Sequence, residues 1–364
     1  MALPGEPKRS PAYDAWRFRR APAWEGPIAL RLGRLAAMAV GGWFRAAGQV
    51  RTVARSGAAA PLLADRLRTW NRLLPYVGLP FDVAYFPWNS AAIEHLGLFD
   101  FGRPVVISCR GSQIHVAPQD PENGRLREGL RETFAKAAVV HCVSEATLRE
   151  AMRWGLDPAR ARVIRPAVDP EAFRPPSTPP AQDGILKVVT TGSLVGVKGY
   201  EYALLALRRL VDRGVAVRFS IIGEGPERVR ATYTIRDLGL EGHVQLLGRR
   251  SPEDVRAELQ KADAFLLSSL SEGISNAALE AMACGLPVVT TACGGMAEAV
   301  SDGVEGFVVP IRDSDAMAHA LERLASDVPR RRRMGLAARE RVVRDFDLGN
   351  QVGQFEALLE GAAG

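Results

Sequence analysis

One segment constrains the fold of this chain more than any other: a strand, a loop, a helix and a second strand, which read AFLLSSLSEGISNAALEAMACGLPVVTT. The apolar runs Ala264–Leu267 and Val288–Thr291 are typical of strands that are buried on both faces. Between them, Ser275 is a preferred N-cap residue for a helix, and Gly285 and Pro287 are typical of a helix end. This order predicts a parallel sheet with the loop and the helix N-terminus at its carboxyl edge, where α/β proteins bind ligands.

The loop and the first helical turn have a composition that suits a phosphate. Residues Gly273–Asn276 would present free backbone N–H groups at the positive end of a helix. Two carboxylates flank them, Glu272 in the loop and Glu280 within the helix, and both could bind sugar hydroxyls. In the alternative interpretation, Ser275 only caps the helix and Glu280 is a solvated surface residue.

The same residues resemble a known family. Glu272 and Glu280, separated by seven residues within EGISNAALEAMACGLPVVTT, resemble the donor-site motif of glycosyltransferase family 4. This resemblance implies an α/β chain with the GT-B fold, in which two Rossmann-like, doubly wound parallel-sheet domains bind the acceptor and the nucleotide-sugar donor. It also implies that Glu272 lies near the hydroxyls of the transferred sugar and Glu280 near those of the ribose.

Composition limits the classes of protein that fit. The chain has 364 residues, of which 47% are hydrophobic, and this is enough for two cores. The four cysteines have no CxxC spacing and the five histidines have no metal-ligand spacing. No apolar run reaches the roughly 18 residues of a membrane span. We therefore expect a cytoplasmic protein with reduced thiols and without a metal or other cofactor.

The N-terminal part carries an excess of positive charge. Residues 1–80 contain thirteen Lys and Arg residues against four Asp and Glu residues, in a chain of net charge +6. The stretch Ile28–Val53 predicts a helix with an apolar side and interspersed arginines, which is compatible with peripheral binding to an anionic membrane. A helix packed on its own domain is the alternative. No motif combines aromatic and basic residues as in nucleic-acid-binding proteins, so nucleic acid is not an expected partner.

Strand and helix patterns alternate from Val83 onwards, which indicates two α/β domains joined by a proline-rich linker. In the first domain we predict four strands: Val83–Phe86, Pro104–Ser108, Val139–Val143 and Arg162–Ile164. In the second we predict six: Leu186–Thr190, Val217–Ile222, Val244–Leu246, Ala264–Leu267, Val288–Thr291 and Phe307–Val309. The predicted parts are a basic leader and helix (1–60), an acceptor-side domain (61–170), the linker (171–184), a donor domain (185–335) and a C-terminal helix that crosses back to the first domain (336–364).

The first domain is expected to be reduced. Members of the family normally begin with an apolar strand and a glycine-rich loop beside the donor phosphates. Here the only Gly-Gly pair before residue 61 is Gly41-Gly42, which lies inside the predicted helix Ile28–Val53. Either the true start lies upstream of Met1, or the protein is a reduced member of the family.

A second turn in the donor domain also suits a diphosphate. Gly192 and Ser193 follow the first strand of this domain, and Lys198 comes shortly after them. Backbone amides and a lysine at such a turn bind phosphate oxygens. By the resemblance, an Arg and a Lys are usual in this loop; Lys198 matches, whereas Ser193 stands in the place of the Arg. Arg249 follows the third strand, where relatives contact the nucleotide base.

Three further motifs allow more than one interpretation. Arg110 follows a strand of the first domain at a position where relatives commonly carry a His, and it can bind phosphate or an acidic acceptor or pair with a structural carboxylate. The segment Gly223–Pro226 begins like a dinucleotide-binding motif but lacks its third glycine, so an oxidoreductase is not expected. The DxD motif of Asp313 and Asp315 opens a helix, which predicts Ser314 or Asp315 as an N-cap rather than a metal ligand.

Together these observations predict a retaining, metal-independent hexosyltransferase. It would move a sugar from a nucleoside diphosphate sugar to a saccharide or lipid-linked acceptor, in the synthesis of cell-surface polysaccharide or glycolipid. The competing hypothesis is a catalytically weak or inactive nucleotide-sugar-binding homologue that acts with a partner. The predicted catalytic residues are Glu272, Lys198 and Arg110. The predicted donor-binding residues are Gly192, Ser193, Lys198, Arg249, Glu272, Gly273, Ile274, Ser275, Asn276 and Glu280.

Overall fold

The structure is a computed structural model that describes residues 28–58, 62–178 and 183–364. The predicted leader before residue 28 lies outside the described residues. The chain divides into two compact units, an N-terminal unit (residues 1–82 and 94–103) and a main unit (residues 83–93 and 104–364). Within the described ranges, no helix has both the length and the apolarity needed to cross a bilayer.

The N-terminal unit is helical where it is described. Its helices are α1 (Ile28–Ala58) and α2 (Leu63–Leu73), and single 3₁₀ turns span Leu74–Tyr76 and Leu96–Asp100. The helix predicted over Ile28–Val53 is broken at Ala46, whose backbone is extended (φ −159°, ψ 74°). The break brings Gly42 against Val50, because a Cβ on Gly42 would lie 3.3 Å from a methyl carbon of Val50. The helix α2 packs on α1. It belongs to the N-terminal unit, and the predicted start of the acceptor-side domain at residue 61 lies just before it.

The first half of the main unit is a four-stranded parallel sheet. Its order is β1-β2-β3-β4, so each strand pairs with its neighbour in the sequence. The strands are β1 (Ala84–Phe86), β2 (Val105–Cys109), β3 (Val139–Cys142) and β4 (Ala161–Val163). The connecting helices are α3 (Asn89–Glu94), α4 (Ser112–His115), α5 (Gly124–Lys136) and α6 (Glu145–Arg153). The predicted number of strands and their positions are confirmed, with ends that differ by a residue.

The second half of the main unit is a six-stranded parallel sheet of order β10-β9-β8-β5-β6-β7. The strands are β5 (Leu186–Thr191), β6 (Val217–Ile222), β7 (Val244–Gly248), β8 (Ala264–Leu267), β9 (Val288–Thr291) and β10 (Gly306–Val309). The helices are α7 (Tyr200–Asp212), α8 (Arg228–Asp237), α9 (Pro252–Lys261), α10 (Asn276–Ala283), α11 (Met296–Ala299) and α12 (Ser314–Ser326). Apolar clusters cover both faces, as expected for parallel strands: Leu204 and Phe219 belong to one cluster, and Phe265 and Met282 to the other.

The C-terminal segment differs from the prediction of one helix from Leu336. It contains two helices, α13 (Val328–Asp345) and α14 (Leu348–Ala363). The first begins earlier because Asp327 caps it by accepting a hydrogen bond from the Arg330 amide at 2.8 Å. Between the helices, the Val168 amide donates to the Phe346 carbonyl at 3.0 Å. The helix α14 then lies on the first sheet, where Phe355 meets the His141 ring at a centroid distance of 4.7 Å.

Candidate active site

The loop after β8 and the start of α10 have the predicted geometry. The Ser275 hydroxyl accepts a hydrogen bond from the Ala278 amide at 3.4 Å, so Ser275 is the N-cap of α10. Gly273, Ile274 and Ser275 are buried, whereas Asn276 is exposed. At the other end, Gly285 adopts the left-handed conformation (φ +79°) that ends the helix. The helix N-terminus at the carboxyl edge of β8 is therefore suited to bind an anion.

Two predicted catalytic residues contact each other directly. The Lys198 ammonium forms an ion pair with Glu272 Oε1 at 2.5 Å, and the Ser269 hydroxyl donates to the same oxygen at 2.8 Å. The two charged side chains are only 22% and 13% exposed, so solvent screens the pair less than at an open surface. The Ser268 hydroxyl donates to the Lys198 carbonyl at 2.9 Å, which ties the turn after β5 to the loop after β8.

The turns after β5 and β6 approach each other with little space between their backbones. A Cβ on Gly223 (φ +150°) would collide with the Gly192 carbonyl oxygen, so a glycine is required there. The Leu194 amide donates to the Glu224 carbonyl at 2.9 Å, and the Tyr200 hydroxyl donates to the Gly192 carbonyl at 3.1 Å. The Gly-x-Gly segment is thus a close-packed turn beside the predicted diphosphate loop. Ser193 is exposed in this loop.

Glu280 and Arg249 take no part in the ion pair of Lys198 and Glu272. Glu280 is partly buried on α10, and burial raises the pKa of its carboxyl to about 7. Arg249 is exposed immediately after β7. Neither has a side-chain hydrogen bond to Lys198 or Glu272.

Arg110 lies at the carboxyl end of β2 in the first sheet. Its Nη2 atom donates to the Ser108 hydroxyl at 3.3 Å, and its guanidinium lies 5.2 Å from the ring centre of Trp88. Its Nε atom is buried without a hydrogen-bond partner. Behind it, Ser108 is hydrogen-bonded to His141 Nδ1, and burial lowers the pKa of His141 to about 4, helped by the nearby Arg110 charge. His141 is therefore neutral near pH 7.

The two sheets meet through the loops that carry these residues. A Cβ on Gly273 would lie 2.6 Å from a methyl carbon of Val143, which follows β3. The Gly295 amide donates to the Gly273 carbonyl at 2.6 Å. Glu298 of α11 then accepts hydrogen bonds from the amides of Glu145 and Ala146 at 3.1 and 2.9 Å. The segment after β9 therefore contacts both the Glu272 loop and the N-terminus of α6.

Sequence analysis missed Glu298, His115 and Trp88. His115 Nε2 is hydrogen-bonded to the Thr147 hydroxyl at 3.0 Å, and burial lowers the pKa of His115 although the charges of Glu150 and Glu272 oppose this. Trp88 and His115 both follow ends of strands in the first sheet, and that position was the available signal. Glu298 gave no local signal, because its hydrogen-bond partners lie about 150 residues away in the sequence.

The DxD motif requires a correction. The N-cap of α12 is Asp313, whose carboxylate accepts from the Ala316 amide at 2.8 Å, and not Ser314 or Asp315. Asp315 instead forms an ion pair with Arg209. The cap is one residue earlier than predicted because the helix itself begins at Ser314. In the part of the chain that the structure describes, no three His, Cys, Asp or Glu side chains are grouped as ligands for a metal.

The fold and the arrangement of these loops can be compared with known proteins. The sucrose-phosphate synthase of Thermosynechococcus elongatus superposes with a TM-score of 0.70 at 21% identity, covering 82% of this chain and 77% of that chain. Anabaena HepE, solved in complex with UDP-glucose, superposes with a TM-score of 0.69 at 20% identity, covering 92% and 97%. With its two parallel sheets, the protein has the GT-B fold of glycosyltransferases.

Sequence comparison then places the chain in a family. A model described as Glycosyltransferase Family 4 matches residues 27–172, and one described as Glycosyl transferases group 1 matches residues 177–341. The chain belongs to glycosyltransferase family 4.

Two relatives have names that state the biosynthetic process in which they act. The chain is 32% identical over 261 residues to WcaL of Salmonella typhimurium, a glycosyltransferase assigned to colanic acid biosynthesis, with 70% of this chain and 62% of that protein covered. It is 31% identical over 233 residues to AmsK of Erwinia amylovora, an amylovoran biosynthesis glycosyltransferase, with 62% and 57% covered. The chain thus matches about three fifths of the length of these relatives.

Proposed function

We propose that this protein transfers a sugar from a nucleoside diphosphate sugar to a saccharide or lipid-linked acceptor, with retention of the anomeric configuration and without a metal ion. The observation that carries the proposal is the junction of Lys198, Glu272 and Ser269 beside the N-terminus of α10. It joins a cation, a carboxylate that could bind sugar hydroxyls, and the positive end of a helix at one sheet edge. Membership of the family and the polysaccharide-related names of WcaL and AmsK support cell-surface polysaccharide or glycolipid synthesis as the process.

The donor would bind across this junction. The diphosphate would lie at the N-terminus of α10, where Lys198 would exchange part of its contact with Glu272 for phosphate oxygens. Glu272, thereby released, would accept hydrogen bonds from hydroxyls of the transferred sugar, and Glu280 from those of the ribose. HepE was solved in complex with UDP-glucose, which supports a nucleotide sugar as the donor class here.

Charge develops on the diphosphate as the bond to the sugar breaks. Lys198 and the N-terminus of α10 would lie beside the diphosphate in the proposed complex, so they would stabilise the leaving group more in the transition state than in the ground state. Because the cation and the backbone donors can supply this stabilisation, no metal is required in the proposed step. Retention is proposed from the family alone, since no side chain in the junction has been assigned as a nucleophile.

A test by ligand binding comes first. UDP, GDP and ADP, each with and without an attached sugar, are compared for their effect on the melting temperature. At least one should stabilise the protein, and Lys198→Ala should remove most of the effect, since a charge-assisted phosphate contact contributes about 1.5–3 kcal/mol. Lys261→Ala is the matched control, because Lys261 is 67% exposed and pairs only with its neighbour Glu258 on α9. If none of the six ligands moves the melting temperature, the donor site is wrongly assigned.

A second experiment tests whether the two glutamates have different roles and whether the reaction needs a metal. Glu280→Ala should weaken binding of the free nucleotide, whereas Glu272→Ala should affect the nucleotide sugar more than the free nucleotide. Turnover of the nucleotide sugar, followed as released nucleotide, should be unchanged by a chelator. Equal loss of free-nucleotide affinity in both variants would contradict the division of roles, and loss of turnover with chelator would contradict metal independence.

Ser193 favours a second candidate function. It is exposed in the loop where family members usually carry an Arg, so one cation is replaced by a hydroxyl. A protein that binds nucleotide sugar without turning it over, and acts with a partner, would tolerate this loss. Nucleotide release from a bound nucleotide sugar, including slow hydrolysis, separates the enzyme from the binding protein.

Peripheral contact with the inner face of the membrane is also proposed, through residues 28–53. The helix α1 leaves large apolar side chains exposed: Val40 is 59%, Trp43 48% and Phe44 85% exposed. Arg51 lies 5.4 Å from the ring centre of Trp43, so cationic and apolar groups share one surface. Vesicles with anionic lipid should sediment the protein at low salt and release it at high salt. Equal sedimentation with neutral vesicles would contradict the role of charge.

A further inference from the structure

The guanidinium of Arg110 is a positive charge without a counter-ion among the described residues, and it lies at the carboxyl end of β2 in the first sheet. Its hydrogen bond to the neutral Ser108 hydroxyl does not offset the charge, and its Nε atom is buried without a partner. None of the carboxylates among the described residues forms an ion pair with it. A partly buried, unpaired cation is unfavourable unless a ligand supplies the negative charge.

The groups around Arg110 do not neutralise it. His141, behind Ser108, has a pKa of about 4 and contributes no negative charge in either protonation state. Glu272, which lies in the loop that meets the first sheet, is already paired with Lys198 and Ser269. The charge on Arg110 is therefore available to an anion that approaches from solvent.

Trp88 provides the second part of the site. It follows β1, next to Arg110 at the end of β2, and its side chain is 47% exposed. One face of the indole lies against the guanidinium, which fixes the plane of the Arg110 fork. An exposed indole is also a surface on which the apolar face of a pyranose ring can pack. Asn89, the residue after Trp88, is fully buried and donates to the Gln113 carbonyl at 3.4 Å, so it joins the segment after β1 to the segment after β2.

We propose that Trp88 and Arg110 form a subsite for an acidic saccharide acceptor, in which the guanidinium binds a carboxylate or phosphate group on the sugar that receives the transferred residue. The inference rests on the proposed function and names the chemical class of its acceptor. A planar guanidinium binds two oxygens of such a group at once, which a lysine or a histidine does not do.

The acceptor is favoured over the donor diphosphate as the source of the anion. The donor junction already has its own cation, Lys198, and the amides of α10, and all of these belong to the second sheet. Arg110 and Trp88 are carried by the first two strands of the other sheet. A donor role for Arg110 would give no reason for an exposed aromatic ring packed against its guanidinium.

The test measures binding of matched monosaccharides by NMR titration, with and without saturating UDP. Methyl glucuronide and glucose 1-phosphate carry the anion, and methyl glucoside is their neutral counterpart. The wild-type protein should bind at least one anionic probe about tenfold more tightly than the neutral one, as expected for a charge-assisted contact. The better anionic probe identifies the group as a carboxylate or a phosphate.

Variants assign the two halves of the subsite. Arg110→Gln should reduce the preference for the anionic probe to about threefold or less, and Arg110→Lys should retain part of it. Trp88→Ala should weaken all three probes by a similar factor and leave the preference in place. Arg125→Gln on α5, where the side chain is exposed, is the control for a general loss of positive charge.

Two results would overturn the inference. One is equal or undetectable binding of the anionic and neutral probes by the wild-type protein. The other is an Arg110→Gln variant that loses affinity for UDP as strongly as Lys198→Ala does, because Arg110 would then bind the donor. Stabilisation by nucleotides is measured on the same samples, so failure of the proposed function is recognised separately as the absence of any nucleotide effect.

Discussion

Removal of the Glu298 carboxylate should loosen the start of α6. The hydroxyl of Ser144 caps the Thr147 amide at 3.0 Å, and Glu298 accepts from the two amides that precede it, at 3.1 and 2.9 Å. Glu298→Ala removes the acceptor of both amides, which are exposed or partly buried, so the cost is that of a lost helix cap, about 0.5–2 kcal/mol. The ion pair of Glu298 with Arg165 adds only about 0–1 kcal/mol, because Arg165 is 41% exposed. A total of about 2 kcal/mol corresponds to roughly 30-fold more frequent local opening.

Hydrogen exchange measures this opening directly. Peptides that cover residues 144–150 and 292–300 should exchange roughly 30-fold faster in Glu298→Ala, and by a smaller factor in Glu298→Gln, whose amide oxygen still accepts one hydrogen bond. Glu322→Ala is the control, since Glu322 pairs with Arg213 at 2.8 Å elsewhere in the second half of the main unit. Unchanged exchange in residues 144–150, or an equal effect of the control, would refute the assignment.

The loosening should also reach the candidate active site. The Gly295 amide is bonded to the Gly273 carbonyl at 2.6 Å, so the segment that carries Glu298 supports the loop of Glu272. Turnover of a nucleotide sugar should therefore fall more than the affinity for free nucleotide. A fall in nucleotide affinity alone would mean that Glu298 supports the donor site without positioning the sugar.

Three further predictions concern single residues. Burial raises the pKa of Glu280 to about 7 from its ordinary 4.5, so the stability from this group is complete below about pH 4.5 and is lost as the pH rises through 7. Glu280→Gln should flatten that part of the curve of unfolding free energy against pH, and an unchanged curve would contradict the shift. Asp313→Ala should lower the free energy of unfolding in urea by about 0.5–2 kcal/mol through loss of the α12 cap. Asp315→Ala, which removes only an exposed ion pair, should have less effect, and the reverse order would restore Asp315 as the cap. Gly223→Ala should abolish nucleotide stabilisation or folding, since its Cβ would collide with a backbone carbonyl. Gly214→Ala, where φ is +76° with open space around the Cβ, should cost only backbone strain, and two equally mild variants would argue against the close approach.

Local patterns in the sequence predicted the strands of the second sheet closely. The predicted bounds of Val217–Ile222, Ala264–Leu267 and Val288–Thr291 are those of β6, β8 and β9. Strands that are covered on both faces need apolar residues at successive positions, so they are visible as uninterrupted runs. The two ends of α10 were also predicted correctly, because each is set by a local residue. The Ser275 hydroxyl accepts a hydrogen bond from a backbone amide of the first turn, and Gly285 adopts the left-handed conformation that ends the helix.

Boundaries that depend on distant contacts were predicted less well. The pattern from Ile28 to Val53 is that of one amphipathic helix. The break at Ala46 instead accompanies the packing of the two halves of this helix against each other at Gly42. The division of the C-terminal helix at Phe346 depends on Val168, which lies far away in the sequence. A contact between residues that are distant in the sequence does not change the local periodicity of apolar residues, so that periodicity cannot predict it.

The sequence by itself determined the candidate functional residues: Lys198 and Glu272 in loops that follow strands of the second sheet, Glu280 in the helix after one of them, and Arg110 after a strand of the first sheet. Only the tertiary structure decided how they are used. It pairs Lys198 with Glu272 across 74 residues and leaves Arg110 without a carboxylate among the described residues. The physical reason is that a strand order such as β8-β5-β6 brings together loops that are distant in the chain, and the electrostatic state of each side chain depends on what those loops place beside it.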